Sequence, residues 1–307
     1  MRKFILESIL FLSILISIII LLMFYYDHEK VFGDHHYMAS IIDKHNRLDH
    51  FENNRFLIIG GSNLTFGINS ELIENNLNLN VVNLSLHGGL GAEFIVKEAI
   101  ASIRKGDKVL LSLEYPLFDG SYQPDYDLIY LTQKIYPVSK EFYKIPIRAK
   151  FFLFQERFHK SFKKENRNVH VDSIYSRDSF NKYGDEIGHL TKRKPNYWIN
   201  DVEWLSKNLK RSESLIMKLN RKCNDIGAKL YLAYPTYAYS SYCKNKNEIV
   251  KLSKRLRVDL KGLNIINDPE TFVFNDSLFY DTPYHLSNYG RERRTYILIN
   301  IVKLKGL

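Results

Sequence analysis

The sequence predicts an α/β protein: a three-layer α/β/α domain built on a parallel sheet, carried on an N-terminal transmembrane helix and interrupted by a helical insertion. Three observations predict it. Short apolar runs that stop at glycine or proline alternate with amphipathic stretches, giving βαβαβ within residues 56–116, the signature of parallel strands joined by right-handed crossovers. The alternation lapses over about 119–200 and resumes from Trp204. Ser8 to Tyr26 is almost wholly apolar behind a basic start, Met1-Arg2-Lys3.

The apolar run comes first. About 19 residues at 1.5 Å each span roughly 28 Å, the thickness of a bilayer core. A cleaved signal peptide has a shorter apolar region followed by a small-x-small site, whereas here bulky Met23-Phe24-Tyr25-Tyr26-Asp27 follows. Residues 1–27 are therefore expected to be an uncleaved signal anchor. Its N-terminus is cytoplasmic because Arg2 and Lys3 favour that side, and its tyrosines lie at the interface. The remainder is expected to be periplasmic or extracellular. Residues 28–54, polar and frequent in His, Asp and Asn, read as a juxtamembrane stalk with one short helix around Met38 to Lys44.

The domain is expected to occupy residues 55–307. Phe56-Leu57-Ile58-Ile59 reads as a buried strand, stopped by Gly60-Gly61-Ser62-Asn63. Thr65 to Leu77 carries helical spacing. Asn80 to Ser85 is a second strand, running into the glycine-rich turn Leu86-His87-Gly88-Gly89-Leu90-Gly91. Ala92 to Arg104 is a helix ended by Lys105-Gly106-Asp107, and Lys108 to Pro116 a third strand. In the insertion, Lys140 to Arg167 holds nine Lys or Arg against three Glu, interleaved with Phe151, Phe152, Phe154, Phe158 and Phe162. It reads either as a basic, aromatic lid or membrane-facing segment, or as helical hairpins with a solvated face. Trp204 to Ile226 is an amphipathic helix closed by Gly227, Ala228 to Pro235 a fourth strand, Glu248 to Lys261 a basic helix, and Leu263 to Asn267 a fifth strand. Ser287 to Leu304 is the last helix, with Ser287 as its N-cap.

Bulk properties bound the function. The chain has 307 residues, 14% aromatic, with net charge +10. That composition excludes disorder and favours anionic partners. No zinc-finger spacing, RNA-binding signature or basic helix-turn-helix is present, so nucleic acid is the weakest of those partners. Cys223 and Cys243 either pair across a loop of about twenty residues, as a compartment outside the cytoplasm permits, or remain two free thiols.

Nucleophilic acyl transfer needs a hydroxyl, a base, a group that orients the base and donors for the oxyanion. Ser62, at the C-terminal end of the first strand, is the candidate hydroxyl. Ligands bind at that edge of an open α/β sheet. His285 is the candidate base, and Asp281, four residues upstream, is the candidate orienting group. The backbone N–H groups of Ser62 and Gly88 are candidate donors, with Gly89 beside them and His87 a secondary candidate. Read singly, Ser62 is a helix cap, Asp281 a turn cap ahead of Pro283 and Gly88-Gly89 a tight turn. Read together, they fall in one order at strand ends.

These residues resemble the SGNH/GDSL-like esterases and acyltransferases over most of 56–118 and 200–304. Gly60-Gly61-Ser62-Asn63 matches the serine block. Asn83 and Gly88 match the spacing of the second block, and Asp281 and His285 fill the last. Tyr284 to Gly290 looks like the ending of members that modify bacterial surface polysaccharides. There are three departures: Gly61 stands where the family has Asp, the Asp-to-His step is four residues instead of three, and Glu114-Tyr115 stands where the third block has an oxyanion Asn. Asn63 is then the expected substitute donor, with Glu114 beside the substrate. The resemblance implies a flavodoxin-like sheet and a serine esterase or O-acyltransferase acting on O-acyl, chiefly O-acetyl, groups of a cell-surface or secreted glycan. It implies no metal or organic cofactor. The alternative is a non-catalytic glycan-binding protein that serves a membrane O-acyltransferase.

Overall fold

The structure is a computed structural model that describes residues 1–31, 35–161, 173–196, 198 and 208–305. Helix α1 is Arg2–Val31 and α2 is Ser40–His50. The central sheet comprises β1 (Arg55–Gly60), β2 (Asn80–Asn83), β3 (Lys108–Ser112), β4 (Lys229–Leu232) and β6 (Asn264–Ile265). Its strand order is β2-β1-β3-β4-β6, and every pairing is parallel. The chain leaves β1 toward β2 and returns to the other side at β3, so the direction of winding reverses between β1 and β3. In such sheets the crevice at the strands' C-terminal ends opens at that reversal.

All six residues of β1 are buried, because both faces of the sheet are covered. Leu57 and Ile59 join one core with Val109, Leu111 and Leu232. That core is closed by α5 (Gly91–Ser102), α8 (Lys210–Ile226) and α9 (Tyr239–Asp259). Phe56 and Ile58 join the opposite core with Val81, Leu110 and Tyr231, under α4 (Ser70–Leu77) and α10 (Asn288–Leu304). Successive side chains along a strand point to opposite faces, so Phe56 to Ile59 had to be apolar throughout, while Arg55 at the strand's start is buried against Asp107.

The expected helix over 65–77 is broken in two. A single turn, α3 (Ser62–Thr65), follows β1, and α4 starts afresh where the Asn69 side chain accepts from Leu72 N–H. Gly67 is a poor residue for a helix interior and Asn69 a favoured N-cap, so the helix restarts there. A small parallel pair, β5 (Tyr237–Ala238) with β7 (Val273–Phe274), was not legible beforehand. Ser287 stands at the N-cap of α10, but its hydroxyl donates to the Leu278 carbonyl instead of capping. The expected helix start at Trp204 lies outside the described residues.

Residues 35–50 are not a free stalk. Tyr37, Met38, Ile41 and Leu48 are buried. Lys44, also buried, donates from Nζ to the carbonyls of Asn83 (3.0 Å) and Gly184 (2.5 Å). Burial pushes its ammonium down to about 7 against the pull of Asp185, Glu98 and Asp43. The segment forms a third core with the insertion, whose α-helices among the described residues are α6 (Tyr126–Ile135) and α7 (Ile147–Ser161). Phe162 and the charges from Lys163 to Arg167 lie outside the described residues. Cys223 and Cys243 are not bonded: the first is buried in the core and the second exposed. Arg2–Leu22 of α1, with mean hydropathy 2.8, is long and apolar enough to cross a membrane.

Candidate active site

Ser62 opens α3 directly after β1 and is partly exposed. A helix leaves its first N–H groups without intrahelical partners. Here the second of them, on Asn63, is taken by Glu114 Oε1 at 2.9 Å, and the third, on Leu64, by the Gly61 carbonyl at 3.2 Å. The Ser62 N–H, first in the turn, is the one the helix leaves over. Gly88 occupies the same place in the short 3₁₀ turn Gly88–Leu90.

Asp281 and His285 meet as expected. The chain doubles back between Phe279 and Leu286, which form an antiparallel bridge. The Thr282 hydroxyl accepts from the N–H groups of Tyr284 (3.2 Å) and His285 (3.1 Å). That turn absorbs the four-residue step and sets His285 Nδ1 2.8 Å from Asp281 Oδ1. A carboxylate only accepts, so Nδ1 carries the proton and Nε2 presents its lone pair. Burial alone would raise the Asp281 carboxyl, but hydrogen bonds from His285 and Tyr175, with the histidine's charge, hold it below the usual carboxylate range. The His285 ring stacks on Phe66, with centroids 3.9 Å apart and planes at 7°. Phe66 caps the helical turn that Ser62 opens. That contact joins the two halves of the site. Neither Ser62 Oγ nor His285 Nε2 is hydrogen-bonded among the described residues.

Two expected donors, and the asparagine matched to the second block, have other partners. The Asn63 side chain is fully buried, donating to the Ser112 carbonyl at 3.1 Å and accepting from Arg294 at 3.0 Å. It is a structural clamp and cannot reach an oxyanion. The Gly89 N–H is spent on His87 Nδ1 at 2.9 Å. Asn83, matched by spacing to the second block, donates to Asp185 at 2.8 Å. Glu114 lies under the serine turn: a Cβ on Gly61 would fall 2.4 Å from each of its carboxylate oxygens, and one on Gly88 3.4 Å from its Oε2. Oε1 caps Asn63, and Oε2 is buried without a partner among the described residues. His87, half-buried beside this turn, is pushed down to about 4 by burial and by the neighbouring His285, with Asp125 opposing.

The residues that sequence reasoning missed come from the insertion. The Tyr175 hydroxyl donates to Asp281 Oδ2. Burial and the Asp281 charge raise its phenol far above the ordinary value, so it remains a donor. His189 donates from Nε2 to the Leu286 carbonyl at 2.8 Å and pairs through Nδ1 with Glu186, both residues being buried. Asp185 accepts from Ser70, Asn83 and Arg291, tying together α4, β2 and α10. The visible signal was the acidic pair Asp185-Glu186 followed by His189, inside an otherwise basic stretch. No family model matches the chain, and no curated protein matches it.

Proposed function

We propose that the protein is a membrane-anchored, SGNH-type serine esterase or O-acyltransferase acting on O-acyl groups, chiefly O-acetyl, of a bacterial surface or secreted polysaccharide. In this reading α1 is the anchor, with the N-terminus in the cytoplasm and the α/β domain periplasmic or extracellular. The observation that carries the proposal is the Asp281–His285 pair, stacked through Phe66 onto the turn that bears Ser62. The order of serine first and Asp-His last, ahead of the final helix, supports the SGNH assignment.

In the reaction, Ser62 Oγ adds to the acyl carbonyl while His285 Nε2 takes its proton. Asp281 stabilises the imidazolium, and the N–H groups of Ser62 and Gly88 face the oxyanion. Collapse expels the sugar oxygen, which takes the proton back from His285, leaving the acyl group on Ser62. Water or a second sugar hydroxyl then repeats the sequence in reverse and frees the serine.

One observation favours a second reading, a non-catalytic glycan-binding partner of a membrane O-acyltransferase. The Glu114 carboxylate lies against Gly61 and Gly88, where negative charge would build in the transition state. A fluorophosphonate probe on the full chain separates the two. The enzyme reading expects covalent labelling that is lost in Ser62→Ala and in His285→Ala, whereas Asp276→Asn labels normally, because the Asp276 carboxylate accepts from the Ser240 N–H, outside the Asp281–His285 pair. A wild type that is folded but neither labels nor releases acyl groups leaves the binding reading in its place.

A further inference from the structure

We propose that helix α7 lies in the membrane surface, as a second, peripheral contact of the domain with the same bilayer that α1 enters. The partner is the lipid interface itself, rich in anionic headgroups. Ile147, Phe151 and Phe154 are 79%, 63% and 42% exposed. With Phe158 they recur at steps of four, three and four residues, so they line one stripe of the helix. The buried side chains, Leu153 and Arg157, lie to one side of that stripe, and Phe152, 68% exposed, lies beyond it. Arg157 is fixed there by Asp127 at 2.6 Å and by the Tyr130 ring. The aromatic stripe is thus held outward by a well-anchored inner face.

Two features select lipid as the occupant. The first is continuity with α1, which runs beside α6 and α7. In the apolar span Arg2–Leu22 every side chain is exposed except Ile19 and Leu22, which are half-covered. The domain therefore meets α1 at the end of the span, at the level where α1 leaves the hydrocarbon, and α7 is carried at that level. The second is charge. Arg148 and Lys150 flank the stripe. The groove between α6 and α7, about 790 Å³, is lined by Lys134, Lys140, Lys144 and Lys150 and by Phe154. Aromatic side chains with basic neighbours on an amphipathic helix suit the boundary between headgroups and acyl chains. Basic residues near a membrane surface are drawn toward anionic lipid.

The inference rests on α1 crossing the bilayer and is independent of the serine chemistry. The full chain is reconstituted into phosphatidylcholine–phosphatidylglycerol vesicles whose acyl chains are brominated close to the headgroup. Phe151→Trp and Phe154→Trp each add a tryptophan to Trp198 and Trp204, and bromolipid is expected to quench a larger fraction of their emission than of the parent chain's, with a blue-shifted added component. Val258→Trp, at an exposed position on α9, is expected to show no quenching of its added tryptophan. Adding Arg148→Glu and Lys150→Glu to Phe151→Trp is expected to restore the emission. If the chain floats with the vesicles but Phe151→Trp is quenched no more than Val258→Trp, or is quenched by aqueous iodide to the same degree, α7 faces water and the inference is overturned. Protection of Phe151→Trp by a co-purifying protein in place of bromolipid overturns it too. Failure of the chain to float removes the anchor, and the inference with it, while leaving the serine reading standing.

Discussion

Gly61 and Glu114 form a complementary pair, and Gly61→Ala tests it. The backbone at Gly61 is ordinary extended structure, with φ −95°, so alanine costs nothing there by conformation. The cost is steric, since the new Cβ would lie 2.4 Å from both Glu114 oxygens. The carboxylate must swing away, which breaks its 2.9 Å bond to the Asn63 N–H. Losing a hydrogen bond to a charged group costs about 1.5–3 kcal/mol, and overpacking adds about 1–3 kcal/mol. We expect a loss of about 3–5 kcal/mol, or roughly 6–20 °C in Tm at about 2–4 °C per kcal/mol for a domain of this size. Glu114→Ala alone leaves the Asn63 N–H buried and unpaired, costing about 1–3 kcal/mol. In the double variant the alanine methyl enters the space the carboxylate left, so the double variant should be about as stable as Glu114→Ala alone. The assay is thermal unfolding of the full chain in detergent micelles, followed by circular dichroism, for all four members of the cycle. Additive losses within about 0.5 kcal/mol would mean the two sites are independent, and the account of this turn would be wrong.

Further outcomes are expected. The folded His87 imidazole titrates near 4 and the unfolded one near 6.5, so between those values the unfolded chain binds the extra proton. Stability should therefore fall as pH drops from 6.5 toward 4, by at most about 3 kcal/mol, and His87→Asn should flatten that limb of the pH–Tm curve. Arg55 and Asp107 form a buried pair at 2.5 and 2.9 Å, so Asp107→Asn should cost about 3–5 kcal/mol in the same unfolding assay. Tyr175→Phe removes one donor from Asp281 and should slow probe labelling roughly tenfold, equivalent to about 1.5 kcal/mol. Glu114→Gln keeps an oxygen for the Asn63 N–H and removes the charge, so acyl release should be unchanged or faster; a loss of more than about tenfold would mean that the charge itself is used.

The sheet was legible because its signals are local. Each central strand is apolar and ends at glycine, proline or a polar cluster, and the turns after them carry the site. Asp281 and His285 were legible for the same reason, lying on one tight turn. What was not legible is tertiary. Tyr175 reaches Asp281 across 106 residues, and no periodicity announces such a contact. The segment expected as a stalk did carry a signal: Tyr37, Ile41, Lys44 and Leu48 recur at helical steps, but a lysine stands in one of the buried places. Its burial is possible only because two carbonyls from distant segments receive its ammonium. The helix expected over 65–77 failed because Asn69 offers a better start than Gly67 offers a continuation.

Two of the positions that depart from the SGNH pattern, Gly61 and Glu114, touch each other, which makes them one feature. Removing the side chain at 61 opens the volume that the Glu114 carboxylate fills. The exchange changes the electrostatics of the proposed reaction more than its geometry. A unit negative charge about 4 Å from a developing oxyanion opposes it by about 4 kcal/mol at an effective dielectric of about 20. The structure contains a partial answer in Arg294. Its guanidinium donates to the carbonyl and the side-chain oxygen of Asn63, at 2.6 and 3.0 Å. Burial pulls it down to about 9, and the Glu114 charge is what opposes that pull. Arg294, Asn63 and Glu114 thus form a chain of alternating charge and dipole behind Ser62, in which the arginine offsets the glutamate without either reaching the substrate. On this account the array around the proposed nucleophile is neutral as a whole, and the feature that most favours a binding protein is compatible with the proposed enzyme.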